Sequence, residues 1–175
     1  MRLFIAIELP DEIKDFLSQI NSSLKNINGL RTVNKESMHL TLLFLGDIKN
    51  QKEVIETLNL IEFKEFKITI SNLGFFPDKK RIKVAWIGVN QANELMMLQK
   101  QIASLFNNQL NYFPHITFAR IKHISEKDKN NLFDLSEKFK KKKFVVSVNK
   151  FKLFSSELTK IGPIHRIIES FPAKE

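Results

Sequence analysis

Apolar residues alternate with polar ones along several short stretches of this chain, and recur at helical spacing in the stretches between them. In the first half this pattern predicts a strand, a helix that opens at Pro10 with its apolar residues three and four apart, two further strands, a second helix and another strand. The predicted ranges are Arg2–Leu9, a helix from Pro10 to Leu24, Arg31–Val33, Met38–Leu45, Gln51–Leu60 and Phe66–Phe76.

The second half repeats this order. It predicts, in turn, strand Arg81–Val89, helix Ala92–Phe106, strand His115–Ile121, helix Ser125–Phe139, strand Lys143–Leu158 and a last strand His165–Ser170. Apart from the short strand Arg31–Val33 and the last strand, each half therefore reads strand, helix, His-x-Thr strand, helix, strand, although the residue identities repeat only at the motif. The prediction is an α+β fold of two similar lobes with mainly antiparallel sheets and flanking helices, related by a pseudo-twofold axis around a groove, in a single domain over residues 1–175.

Composition limits the function classes. Apolar residues make up 43% of the 175 positions, sixteen of them Phe, which predicts a core rich in aromatic side chains. Without cysteine the chain cannot form a disulfide or use a thiolate, and its N-terminus has neither a signal peptide nor an apolar run of membrane-spanning length, so we expect a cytoplasmic protein with no membrane partner. The net charge of +9 suits a polyanion such as RNA and suits plain solubility equally well.

The motif shared by the halves is His-x-Thr, at His39 in "HLTLLFLG" and at His115 in "HITFAR". Chance predicts far fewer than one such pair in a chain with four histidines and six threonines. Because residues i and i+2 of a strand share a face, each motif presents an imidazole beside the hydroxyl of Thr41 or Thr117. Two imidazoles across a cleft can supply one general base and one general acid to a phosphodiester, with the hydroxyls binding its oxygens.

Arg120 is a candidate for a guanidinium clamp on the same phosphate. It follows His115 by five residues, an odd number that directs it away from the cleft in a regular strand, so its use requires a bulge or bend. The remaining histidines, His123 and His165, lack the threonine partner, and we interpret them as surface or structural residues. A metal site at His39 and His115 is the competing interpretation, but Glu36 is the only carboxylate within three residues of either.

These residues resemble a known family, the 2H phosphoesterases, and within it the RNA 2′,3′-cyclic phosphodiesterases, also called 2′-5′ RNA ligases. The similar stretches are "MRLFIAIELP", "MHLTLLFLG", "RIKVAWIGV", "FPHITFAR" and "FKLFSSEL". The resemblance implies that His39 donates a proton to the leaving ribose oxygen and His115 accepts one from water. It also implies that Thr41, Thr117 and Arg120 bind the phosphate, that the product is a 2′-phosphate, that no metal or other cofactor takes part, and that the reverse reaction joins RNA ends.

The chain departs from the family pattern at Phe118, where Leu is frequent, and in "KIGPIHRIIESFP", which replaces a stretch of small residues and Tyr. Phe44 and Phe76 can stack a base, although core positions are expected for them in so Phe-rich a chain. Two other functions fit the same residues: a non-catalytic module that binds RNA ends, and a phosphodiesterase acting on small 2′-5′ or cyclic nucleotides. We expect a monomer.

Overall fold

The order of elements in the computed structural model follows the apolar pattern closely. The structure describes residues 1–90, 93–108, 111–159 and 162–174, so Ala92, the predicted start of the third helix, lies outside the described residues. Within those ranges the strands are β1 (Arg2–Glu8), β2 (Leu30–Thr32), β3 (His39–Asp47), β4 (Phe66–Pro77), β5 (Ile82–Asn90), β6 (His115–Ile121), β7 (Lys143–Val148), β8 (Lys150–Thr159) and β9 (Gly162–Pro172). The helices are α1 (Asp11–Leu24), α2 (Gln51–Leu58), α3 (Asn93–Leu105) and α4 (Glu126–Phe139), with a 3-10 turn at Lys35–Ser37.

The strands form two antiparallel sheets that confirm the α+β prediction. The first sheet has the order β3-β1-β8-β9 and the second β2-β6-β5-β4-β7. In each sheet a central strand, β1 or β5, pairs on one side with the strand that carries His-x-Thr. The two lobes are interwoven, because β4 from the first half lies in the second sheet while β8 and β9 return to the first.

The predicted strand Lys143–Leu158 is wrong as a single element. The chain leaves the second sheet after β7, passes through Asn149 and enters the first sheet as β8. Val146 and Val148 lie in the second sheet and Phe151 lies in the first, and all three are buried. The alternation changes phase at Asn149 and Lys150, which marks a break in the strand, but this break does not show that the pairing partners change there.

Helix α4 begins where the sequence predicts. The Ser125 hydroxyl accepts a hydrogen bond from the Asp128 amide at 3.1 Å and donates one to the Asp128 carboxylate at 2.7 Å. This reciprocal cap satisfies an amide that has no partner within the helix. The second helix ends at Leu58, two residues before its predicted end.

The core lies between the sheets and the helices that cover them, and large apolar side chains fill it as the composition predicts. Phe4, Phe118 and Phe151 are among the largest fully buried side chains. Across the described ranges, every helix is too short or too polar to cross a lipid bilayer.

Candidate active site

Strands β3 and β6, one from each sheet, lie side by side and bring the two motifs to one cleft. His39, Thr41, His115, Thr117 and Arg120 all line the same cavity of about 330 Å³. This volume is near the lower end for small-molecule sites and suits a ligand the size of one nucleotide. The structure thus brings together all five residues that the sequence singled out.

A β-bulge follows the threonine in both motif strands. In β6 the extra residue is Phe118, between the pairs Trp86–Thr117 and Ala85–Ala119 of the ladder. In β3 it is Leu42, at the corresponding place in the pairing with β1. Because the bulge adds one residue, the side chain five positions after the histidine faces the cleft instead of pointing away from it. Arg120 therefore lines the cavity, through the bulge that its use in the site requires.

Both bulges are held by hydrogen bonds to their carbonyl groups. The Val33 amide donates to the carbonyl of Phe118 at 2.8 Å. The buried side-chain amide of Gln99, on α3, donates to the carbonyl of Leu42 at 3.4 Å. Buried carbonyls without a partner are costly, so these bonds fix the local backbone that directs the motif side chains into the cleft.

A backbone group two residues earlier orients each motif histidine. Nδ1 of His115 lies 2.8 Å from the carbonyl oxygen of Phe113, and the backbone of Ser37 forms a hydrogen bond with the His39 ring. A neutral ring that donates from Nδ1 leaves Nε2 free to accept a proton. Because a carbonyl oxygen can only accept, Nδ1 of His115 is the donor of this bond, and its Nε2 is the ring atom left for other contacts.

A third histidine shares the cleft, and sequence reasoning missed it. His165 lines the cavity with its ring centroid 5.3 Å from that of His39, edge to face, and both rings contact Phe4. Its Nδ1 is buried without a hydrogen-bond partner among the described residues. The interpretation of His165 as a surface or structural residue did not include this position in the cleft, which arises because β9 pairs with β8 in the first sheet. His123 is exposed and is not among the residues that line the cavity.

The surroundings of His39 favour its neutral form in the unliganded protein. Burial lowers the pKa of His39 to about 4, and the nearby His165 and His115 add to this effect, against the opposing hydrogen bond to Ser37. Burial also lowers the pKa of His165. A proton donor in this position therefore needs an anion nearby to hold its proton.

This depressed pKa predicts an acid-sensitive fold. Between pH 6.5 and about 4 the unfolded chain carries a proton on His39 that the folded protein does not bind, so stability falls as the pH is lowered through this window. The loss is about 3 kcal/mol in total and no further loss from this group follows below pH 4. Urea unfolding of the wild type and of His39→Gln at pH 7 and pH 4 measures it. Equal losses of unfolding free energy in the two proteins would contradict the low pKa assigned to His39.

The expected core position of Phe44 is wrong. Phe44 is five residues after His39, as Arg120 is after His115, and the bulge leaves its ring 69% exposed at the cavity. Phe76 is partly buried against Trp86, whose ring contacts the backbone so closely at Gly74 that a Cβ atom there would lie 2.2 Å from the indole. Phe76 also lines the cavity, so Phe44 is the more exposed of two aromatic rings that a ligand could contact.

The three histidines of the cleft, His39, His115 and His165, do not form a metal-binding group in the described part of the chain. Among the residues that the structure describes, no group of three or more His, Asp or Glu side chains is arranged to hold a metal ion. The functional groups that line the cavity include imidazole, hydroxyl and guanidinium groups.

A fold of two similar lobes, each giving a histidine strand to one cleft, defines the class of two-histidine phosphoesterases. The chain belongs to the LigT-like phosphoesterase family, whose pattern matches residues 7–86 and again residues 87–165. The double match agrees with the repeat of the two lobes.

Similarity to known proteins extends over nearly the whole chain. An RNA 2′,3′-cyclic phosphodiesterase of Methanocaldococcus jannaschii is 35% identical over 98% of this chain and 100% of its own length. One from Aquifex aeolicus is 37% identical over 98% of this chain and 96% of its own. Among solved structures, a Thermus thermophilus protein superimposes with a TM-score of 0.81 at 23% identity, over 98% of this chain and 97% of that one. Apo LigT of Escherichia coli gives 0.79 at 22% identity, over 99% and 98%. These structures confirm the fold.

Proposed function

We propose that this protein opens the 2′,3′-cyclic phosphate at the 3′ end of RNA and leaves a 2′-phosphate. The observation that carries the proposal is the pair of His-x-Thr strands facing one nucleotide-sized cavity. The relatives that are similar over their full length are RNA 2′,3′-cyclic phosphodiesterases, which supports the same substrate.

In the proposed reaction His115 is the base. Its Nε2 takes a proton from water while the water oxygen attacks phosphorus, and the hydrogen bond from Nδ1 to Phe113 stabilises the imidazolium that forms. His39 gives its proton to the 3′-oxygen as the bond from phosphorus to that oxygen breaks. The products are a 2′-phosphate monoester and a free 3′-hydroxyl, and proton exchange with solvent restores both histidines. These steps require no metal or redox cofactor.

Substrate binding explains how His39 can act as an acid although its pKa is low in the free protein. The bound phosphodiester is an anion, and a negative charge next to an imidazole raises the imidazole's pKa. His39 therefore takes up its proton together with the substrate, so that the acid is charged only when the phosphate is there to receive its proton.

Thr41 and Thr117 are proposed to donate hydrogen bonds to the non-bridging oxygens, where negative charge grows in the transition state. Thr117→Val removes the hydroxyl and keeps the shape. We expect it to lower kcat by about 10²-fold, as does removal of one donor from an oxyanion site, with an unchanged thermal midpoint. Thr69→Val, on the second sheet and outside the cavity, is the matched control. A Thr117→Val protein with wild-type kcat would remove Thr117 from the mechanism.

We also propose that residues 1–175 act as one domain and as a monomer. Strands exchanged between the lobes make each sheet depend on both halves of the chain, and a single chain supplies both histidines.

The function is tested by incubating the wild type, in EDTA, with an oligoribonucleotide that ends in a 2′,3′-cyclic phosphate. Opening of the cyclic end supports the proposed activity. If the cyclic end stays intact while the RNA binds, the protein is instead a module that holds RNA ends.

A further inference from the structure

Two arginines stand directly opposite each other at one end of the cleft. Arg31 on β2 pairs with Arg120 on β6 in the strand ladder, and both side chains are exposed and line the cavity. The sequence pattern does not identify Arg31 as a site residue, because it lies 89 positions from Arg120 in a strand of three residues. The pairing of β2 with β6 creates the cluster.

Neither guanidinium has a salt bridge or a side-chain hydrogen bond within the described part of the chain, whereas Arg2 and Arg166 have Asp47 and Glu157 within 4.0 Å. Like charges placed opposite each other on adjacent strands destabilise a sheet. A cluster of this kind is favourable when an anion lies between the two groups, since guanidinium binds phosphate oxygens in a bidentate, charge-assisted manner.

The start of β9 leaves space for the Arg31 guanidinium. A Cβ atom at Gly162 would lie 3.1 Å from Nη2 of Arg31, and the backbone φ angle of Gly162 is +135°. Arg31 thus extends from β2 to the start of β9, and both Arg31 and Gly162 line the cavity.

The two ends of the cleft differ, although the lobes correspond. At the fifth position after the motif histidine the first sheet presents the exposed ring of Phe44, and the second presents Arg120 with Arg31 beside it. A 3′-terminal nucleotide has a matching polarity. Its cyclic phosphate lies on the 2′,3′ edge of the ribose, and the base and the 5′ carbon lie on opposite sides of that edge.

We propose that Arg31, next to Arg120, forms a second phosphate subsite, which binds the phosphate on the 5′ side of the terminal nucleotide. This inference rests on the proposed function and narrows its substrate: an RNA end is preferred over a nucleoside 2′,3′-cyclic phosphate because it brings a second phosphate.

Three substrates separate the contribution of the phosphate from that of the added nucleoside. They are adenosine 2′,3′-cyclic phosphate, the same compound with a 5′-phosphate, and the dinucleotide ApA ending in a 2′,3′-cyclic phosphate. For the wild type we expect kcat/KM to be about tenfold higher for the second and third than for the first.

Arg31→Gln should remove this tenfold preference and leave kcat/KM for the first substrate within twofold of the wild-type value. The dependence of log kcat/KM on log salt for the dinucleotide should become shallower by about one unit, and the thermal midpoint should not fall. Arg2→Gln removes the same charge at a site outside the cavity and should keep the preference.

The same comparison by equilibrium binding does not require turnover. Adenosine 2′,5′-bisphosphate should bind the wild type about tenfold more tightly than adenosine 2′-phosphate, and Arg31→Gln should bind the two equally. No preference in the wild type, or an equal loss for both ligands in Arg31→Gln, overturns the second subsite. A binding preference without hydrolysis of any substrate upholds the subsite and refutes the proposed function.

Discussion

His39→Gln and His115→Gln should each lower kcat for opening a 2′,3′-cyclic phosphate by about 10³-fold, because each removes one of the two groups that transfer a proton in the transition state. Glutamine keeps an amide N–H for the backbone of Ser37 or the carbonyl of Phe113, so the local backbone is preserved while the ability to carry a proton is lost. Single-turnover hydrolysis of a cyclic-phosphate oligonucleotide measures the effect.

The double variant should lose little more than either single one, since residues that act as a unit in one step are not additive. His123→Gln is the matched control, because His123 is exposed and does not line the cavity. Thermal unfolding shows whether each variant is folded. A folded His39→Gln or His115→Gln protein that keeps a tenth of the wild-type kcat would refute the role assigned to that histidine.

Glu8→Gln should have the largest effect on stability. Glu8 binds two lysines with largely buried side chains: Lys14, whose Nζ lies 2.8 Å from one carboxylate oxygen, and Lys152, which donates to the other. Burial raises the pKa of Glu8, but hydrogen bonds and charges from both lysines outweigh it and hold the pKa below its usual value. Glutamine would leave the buried ammonium group of Lys152 without a counter-charge and that of Lys14 with only the exposed carboxylate of Asp11, 3.9 Å away.

We expect Glu8→Gln to lower the free energy of unfolding at pH 7 by about 3 kcal/mol, which is at the low end for a broken buried ion pair because Glu8 is itself partly exposed. Urea unfolding measures this. Glu8 lies opposite His39 in the ladder of β1 and β3, so the loss should also loosen the histidine strand. Adding Lys152→Met to Glu8→Gln should recover part of the lost stability. A loss below 1 kcal/mol for Glu8→Gln alone would contradict the stabilising role of the ion pairs that Glu8 makes.

The sequence predicts most of the fold because its helices and strands have clear apolar periods, and because the repeated order of elements implies two lobes. It also predicts the site residues that are close to a motif: His39 and Thr41 share a strand face, as do His115 and Thr117. The position of Arg120 follows once a bulge is allowed at Phe118.

The residues that sequence reasoning missed join the cleft through strand pairing between distant segments. Arg31 reaches Arg120 only because the short β2 pairs with β6, and His165 reaches His39 because β9 folds back on β8. The passage of the chain from one sheet to the other at Asn149 likewise depends on tertiary packing, which a local pattern does not contain. The expected core position of Phe44 is wrong because the bulge at Leu42 changes the face of β3 on which its side chain lies.

The most direct test of the proposed reaction, in which water attacks phosphorus and the 3′-oxygen leaves without help from a metal ion, is ³¹P NMR of the wild-type reaction with the cyclic-phosphate dinucleotide in ¹⁸O-labelled water containing EDTA. The mechanism predicts a single product, a 2′-phosphate monoester with one ¹⁸O atom on phosphorus, because water attacks phosphorus and the 3′-oxygen leaves. A 3′-phosphate product, a product without the label, or an unchanged cyclic phosphate would contradict it.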